Sequence, residues 1–100
     1  MGCWQLGGTE WGDVSEADAL ATLDAAAEAG ITFIDTADIY GQGRSERLIG
    51  QWLQSTQRRD NAFIATKLGR RNQPGWPDNF EPKWVRQHTE DSLQRLGVDA

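Results

Sequence analysis

Cysteine occurs once in this chain, at Cys3, so no disulfide framework can form within it and a reducing compartment is the natural setting. Histidine is equally scarce, and Cys3 with the lone His88 cannot assemble a metal site, so none is expected. No run of about 20 apolar residues is available to cross a bilayer. The start, Met1-Gly2-Cys3-Trp4, has no basic stretch ahead of an apolar one, and the myristoylation pattern fails because Leu6 stands where Ser or Thr is required. These absences lead us to expect a cytoplasmic protein with no membrane partner. A net charge of -5 and a pI near 4.7 weigh against a nucleic-acid partner, because phosphate backbones select basic surfaces. The pairs Arg58-Arg59 and Arg70-Arg71 are local exceptions, readable as solvated turns or as anion contacts.

What is present has an alternating plan. Gly2 to Leu6 reads as a short strand before a Gly7-Gly8 turn. Ser15 is placed to cap a helix with Asp18 three residues on, Ala17, Leu20, Leu23 and Ala27 recur at helical spacing, and Gly30 ends it. Ile31 to Ile34 is β-branched or aromatic throughout, which suits a strand covered on both faces and therefore parallel. A second helix starts near Ser45, with Leu48, Ile49, Trp52 and Leu53 on one face. After an Arg58-Arg59-Asp60-Asn61 turn, Ala62 to Ala65 repeats the buried-strand signature. The loop Gly69 to Phe80, with Pro74 and Pro77, is irregular, and Pro82 suits the first turn of a third helix. That helix should pack through Val85, Thr89, Leu93 and Leu96 and end at Gly97, leaving His88 on its outer surface. Strand and helix alternating three times imply right-handed crossovers and a parallel sheet. Three such pairs do not complete a parallel architecture, so a fourth strand is expected beyond Ala100.

The chemistry-bearing residues lie just past two of the apolar runs, where α/β enzymes keep their sites. Asp35 directly follows the first, Tyr40 lies on the same loop, and Lys67 follows the second after Thr66. A phenol ordinarily ionises near pH 10, so donating its proton near neutrality needs a neighbouring cation, and that cation needs a carboxylate to hold it. Lysine is rarely buried unpaired, so Lys67 calls for a partner such as Asp35. Asp38 is equally suited to stabilising the turn. Gly41-Gln42-Gly43 lacks the third glycine spacing of a dinucleotide fingerprint and is read as a flexible turn.

These residues resemble a known family. Gly2-Cys3-Trp4-Gln5-Leu6-Gly7-Gly8, Asp35-Thr36-Ala37-x-x-Tyr40-Gly41-x-Gly43-x-Ser45-Glu46, Ala65-Thr66-Lys67 and Ser92-Leu93-x-Arg95-Leu96 are similar to the motifs of the aldo-keto reductases. The resemblance implies a (β/α)₈ TIM barrel of roughly 250 residues, of which residues 1–100 would be the N-terminal portion, about three βα units, stopping before the fourth strand. It implies an oxidoreductase that reduces an aldehyde or ketone with NADPH, NADH being possible. By the same resemblance Tyr40, Lys67 and Asp35 are catalytic, with Tyr40 the proton donor, while Gly2, Cys3, Trp4 and Asp35 lie around the nicotinamide. Cys3 departs from the threonine common at its position. The family's active-site histidine belongs after the fourth strand and has no counterpart here, His88 included. Trp76 is placed to touch substrate, to serve as a lid or simply to pack. The expected partner is a small carbonyl compound. The alternative is a non-enzymatic regulatory subunit, similar to the accessory subunits of potassium channels that share these motifs. The 100 residues alone are expected to be inactive, exposing an unpaired strand edge.

Overall fold

The computed structural model describes residues 1–7, 15–58 and 60–100. Gly8 of the expected Gly7-Gly8 turn and Arg59 of the expected arginine turn lie outside them. In chain order the elements are α1 (Glu16–Glu28), β1 (Phe33–Asp35), α2 (Arg44–Thr56), β2 (Phe63–Ala65) and α3 (Pro82–Leu96), with single 3₁₀ turns at Trp4–Gly7, Tyr40–Gly43 and Asp78–Phe80. Ser15 caps α1 by accepting the Asp18 amide at 3.1 Å, and Gly30 follows the helix end with a φ of 87°. Pro82 takes the first turn of α3, where its missing N–H removes no helical bond.

The sheet is parallel, as the alternation requires. β1 and β2 pair in the register Phe33 with Phe63, Ile34 with Ile64 and Asp35 with Ala65. The N-terminal segment lies along the other edge of β1: Asp35 N–H donates to Met1 O at 2.8 Å, and Cys3 N–H to Asp35 O at 2.9 Å. This segment is shorter than the strand expected over Gly2 to Leu6. Only Gly2 forms a ladder bridge, because Leu6 N–H turns back to Cys3 O at 3.1 Å and curls Trp4–Gly7 into a 3₁₀ turn.

The first strand also starts later than Ile31, whose amide instead donates to Ala26 O at the end of α1. Within residues 1–100 the helices cover one face of the strand pair. Ile34 is buried against the helices, whereas Phe33 and Phe63 stack on each other at 5.3 Å on the opposite face and remain half-exposed or more. The Cα trace is only 17 Å thick along its shortest axis, which leaves space for one helical layer over the sheet.

That layer holds the core. Leu48, Ile49, Trp52 and Leu53 of α2 are all buried, matching the helical stripe in the sequence, and they meet Ala19 and Leu23 of α1 and Leu96 of α3. Each such aliphatic side chain contributes about 1.5–3 kcal/mol on burial. The Trp52 indole N–H donates to Asp24 Oδ1 at 2.8 Å, satisfying the one polar atom of that ring and joining α1 to α2. Gly50 sits against the Arg95 and Leu96 carbonyls, where a β-carbon would overlap backbone, so α2 and α3 approach closely at this point.

α3 packs through a different stripe from the expected one. Its buried residues are His88, Ser92 and Leu96, while Thr89 faces solvent and Val85 and Leu93 are only partly covered. Inside the packed face Ser92 Oγ accepts from Arg95 Nη2 at 3.3 Å, and His88 lies within electrostatic reach of Asp38 on the loop after β1. Among the described residues, no helix is long and apolar enough to cross a membrane.

Candidate active site

Two strand ends and two loops bring the site together. Thr36 N–H donates to Ala65 O at 2.8 Å and Asp38 N–H to Lys67 O at 3.0 Å, extending the β1–β2 pairing past the strands. The first residues of both loops therefore run side by side. Across that seam Lys67 Nζ donates to both oxygens of Asp35, at 2.9 and 3.1 Å, and to the Thr36 carbonyl at 2.8 Å. The ammonium also lies 5.3 Å from the centre of the Tyr40 ring. The structure thus gathers Asp35, Tyr40 and Lys67 at the carboxyl end of the sheet. Burial works against the charge on Lys67, but the Asp35 hydrogen bond and the charges of Tyr40 and Asp35 outweigh it and raise the ammonium above its ordinary range. The Asp35–Lys67 pair is half-exposed, so it holds the lysine in place rather than stabilising the fold appreciably.

The Tyr40 position depends on glycine. Gly41 and Gly7 pack backbone to backbone, and a β-carbon on either would overlap the other. Gly41, Gln42 and Gly43 all have positive φ, at 61°, 54° and 95°, forming a left-handed turn. This contact seats the Trp4 ring over Tyr40, with centroids 6.3 Å apart and planes 21° from parallel. Gly2 is exposed at the same rim, and a β-carbon there would touch nothing. Cys3 points the other way, into the core, where burial pushes its thiol up to about 11. Only its backbone faces the seam.

Beneath these side chains is a buried polar scaffold. Glu46, fully buried, accepts from the Thr66 hydroxyl at 2.6 Å through Oε1 and from Arg95 Nε at 2.6 Å through Oε2. Ser45 Oγ donates to Cys3 O at 3.2 Å and lies 2.8 Å from Thr36 Oγ1. Glu46 and Arg95 are legible in the sequence only as motif letters; their pairing across helices has no local periodic signal. Asn79, also buried, closes the long loop by donating to Arg71 O at 2.6 Å and accepting the Gly75 amide at 3.1 Å. Trp76 stands on that loop, exposed and edge-on to Phe80 at 5.4 Å. Of the arginine pairs, Arg71 donates to Asp91 at 3.0 Å.

Asp38 is buried, and its Oδ2 has no hydrogen-bond partner among the described residues. His88, expected on the surface, is buried on the facing side of α3, and its Nδ1 is likewise unpartnered. Burial raises the Asp38 carboxyl above its ordinary value, the Glu46 charge raises it further, and Arg71, His88 and Arg95 oppose both. The folded state therefore binds this proton more tightly than the unfolded chain, whose carboxyl ionises near 3.8. This contribution is fully present below that value and is lost as pH rises through the folded pKa. Asp38→Asn should accordingly lose less stability than the parent between pH 4 and 8, read from thermal midpoints across that range. Parallel pH profiles for the two proteins would contradict this.

An open cavity of about 900 Å³ lies over the site, walled by Trp4, Tyr40, Trp76 and Phe80. A smaller one of about 240 Å³ reaches Tyr40 and Lys67 from the other side. The parallel strand–helix order, with a polar cluster at the carboxyl ends of the strands, is the α/β arrangement of barrel type.

The aldo/keto reductase family model matches residues 1–100, and the chain belongs to that family. It is 36% identical over 104 residues to aldo-keto reductase YhdN of Bacillus subtilis, covering 99% of this chain and 30% of that protein. It is 40% identical over 92 residues to aldo-keto reductase yakc [NADP(+)] of Schizosaccharomyces pombe, covering 89% of this chain and 27% of that one. A solved aldo-keto reductase from Klebsiella pneumoniae in complex with NADPH superposes with a TM-score of 0.77 at 27% identity, over 99% of this chain and 31% of its own. The chain thus spans about 30% of the length of these relatives, and its fold is the N-terminal part of their (β/α)₈ barrel.

Proposed function

We propose that residues 1–100 are the opening portion of a barrel whose full-length form reduces an aldehyde or ketone to an alcohol with NADPH. The observation that carries this reading is the placement of Lys67 Nζ, bonded to the Asp35 carboxylate at 2.9 Å while 5.3 Å from the Tyr40 ring centre. Tyr40 donates its hydroxyl proton to the substrate oxygen, and the Lys67 ammonium stabilises the phenolate left behind. Asp35 holds the ammonium in register without taking part in the proton transfer. When bound, the reduced nicotinamide supplies the hydride that the carbonyl carbon receives.

The residues present fit such a ring. Gly2 leaves open space beside Asp35, to which its segment is bridged, and Trp4 offers a half-exposed indole at the same rim. Gly2, the Cys3 backbone, Trp4 and Asp35 would hold it. NADPH is chosen over NADH because the Schizosaccharomyces relative is named for NADP(+) and the Klebsiella structure contains NADPH. The test is to mix the full-length protein with NADPH and a small aldehyde and follow the near-ultraviolet absorbance of the reduced nicotinamide. Consumption that requires the aldehyde is expected, and its absence over a panel of aldehydes and ketones would contradict the reading.

A further inference from the structure

Arg70 is the side chain that the proposed chemistry leaves unused. It lines both cavities that flank Tyr40, the larger shared with Trp4 and Trp76 and the smaller with Lys67. Its neighbour Arg71 is occupied by Asp91, whereas Arg70 has no ion-pair or hydrogen-bond partner among the described residues. An exposed guanidinium gains most from a planar anion that it can grip with two parallel N–H donors. The remaining wall is aromatic. Trp4, Trp76 and Phe80 line the same cavity as Arg70, giving it a wall suited to a flat apolar body.

We propose that Arg70 selects carbonyl substrates carrying a carboxylate on an aromatic or similarly flat unsaturated framework. The framework lies among Trp4, Trp76 and Phe80, its carboxylate is gripped by Arg70, and its carbonyl is presented to Tyr40. This deepens the reductase reading and rests on it.

The test uses the full-length protein and has two arms. In the first, tryptophan emission, with Trp4 and Trp76 on the cavity wall, is titrated with benzoate and with its neutral counterpart benzamide. Benzoate should bind about five- to tenfold more tightly. Arg70→Gln should abolish the difference, and Arg70→Lys, which keeps the charge, should restore part of it. In the second arm, kcat/KM is compared for 4-carboxybenzaldehyde and its methyl ester with NADPH, and the acid-to-ester ratio should fall toward one in Arg70→Gln. Equal binding of benzoate and benzamide, or a preference that survives Arg70→Gln, overturns the assignment of Arg70. Turnover of neither aldehyde, whatever the binding arm shows, overturns the reductase reading and the substrate class with it.

Discussion

Replacing Tyr40 by phenylalanine should lower kcat for NADPH-dependent carbonyl reduction by about two to four orders of magnitude, the range that a positioned proton donor supplies. The substitution removes one oxygen and keeps the ring. Trp4 still has its stacking partner 6.3 Å away, and the Gly7–Gly41 contact that seats the loop is untouched. Stability and KM should therefore change little while turnover falls, as expected for an interaction made mainly in the transition state. Steady-state kinetics of the full-length variant check this, together with a thermal melt. Retention of more than about a tenth of kcat would end the proton-donor assignment.

The largest effect on stability should come from Glu46→Ala. Glu46 is fully buried, and its two oxygens are bound by Thr66 and Arg95, from different parts of the chain. Truncating it leaves Arg95, largely buried, without its carboxylate, and breaking such a pair typically costs about 3–5 kcal/mol. Glu46→Gln separates the two contributions, since it keeps the bond to Thr66 but leaves the guanidinium uncompensated. Denaturant melts should rank the parent first, Glu46→Gln second and Glu46→Ala last. Because Thr66 immediately precedes Lys67, Glu46→Ala, which removes the Thr66 bond, should also loosen the lysine and reduce turnover. A Glu46→Ala protein as stable as the parent would show that the pair is not a structural tie.

The parts of this fold legible in the sequence are those governed by local pattern. The α2 stripe of Leu48, Ile49, Trp52 and Leu53, the Ser15 cap and Pro82 at a helix start are short-range signals, and the structure carries each of them. Asp35 directly follows the first apolar run, Tyr40 lies on the same loop and Lys67 follows the second run after Thr66, so all three could be singled out, and parallel pairing of the runs brings their ends together. What the sequence did not disclose depends on partners far along the chain. Glu46 and Arg95 stand in the sequence only as letters of two separate motifs, and their pairing forms when α2 and α3 are packed together. Apolar periodicity points to Thr89 and Leu93 on α3, whereas the structure buries His88 and Ser92, the latter bonded to Arg95, a contact with no apolar signature. Phe33 and Phe63 occupy the sheet face that α1, α2 and α3 do not cover. The N-terminal strand shrank to one bridge because the Leu6 amide found a nearer carbonyl at Cys3.

The central claim is that Tyr40 and Lys67 act as one unit, and a double-mutant cycle on the full-length protein tests it most directly. Tyr40→Phe, Lys67→Met and the double variant would be compared by kcat with a single aldehyde. If the ammonium acts only through the phenol, the double variant should be about as slow as Tyr40→Phe alone, with the two losses strongly non-additive. Losses that multiply would show that the two side chains contribute independently, and would contradict the mechanism.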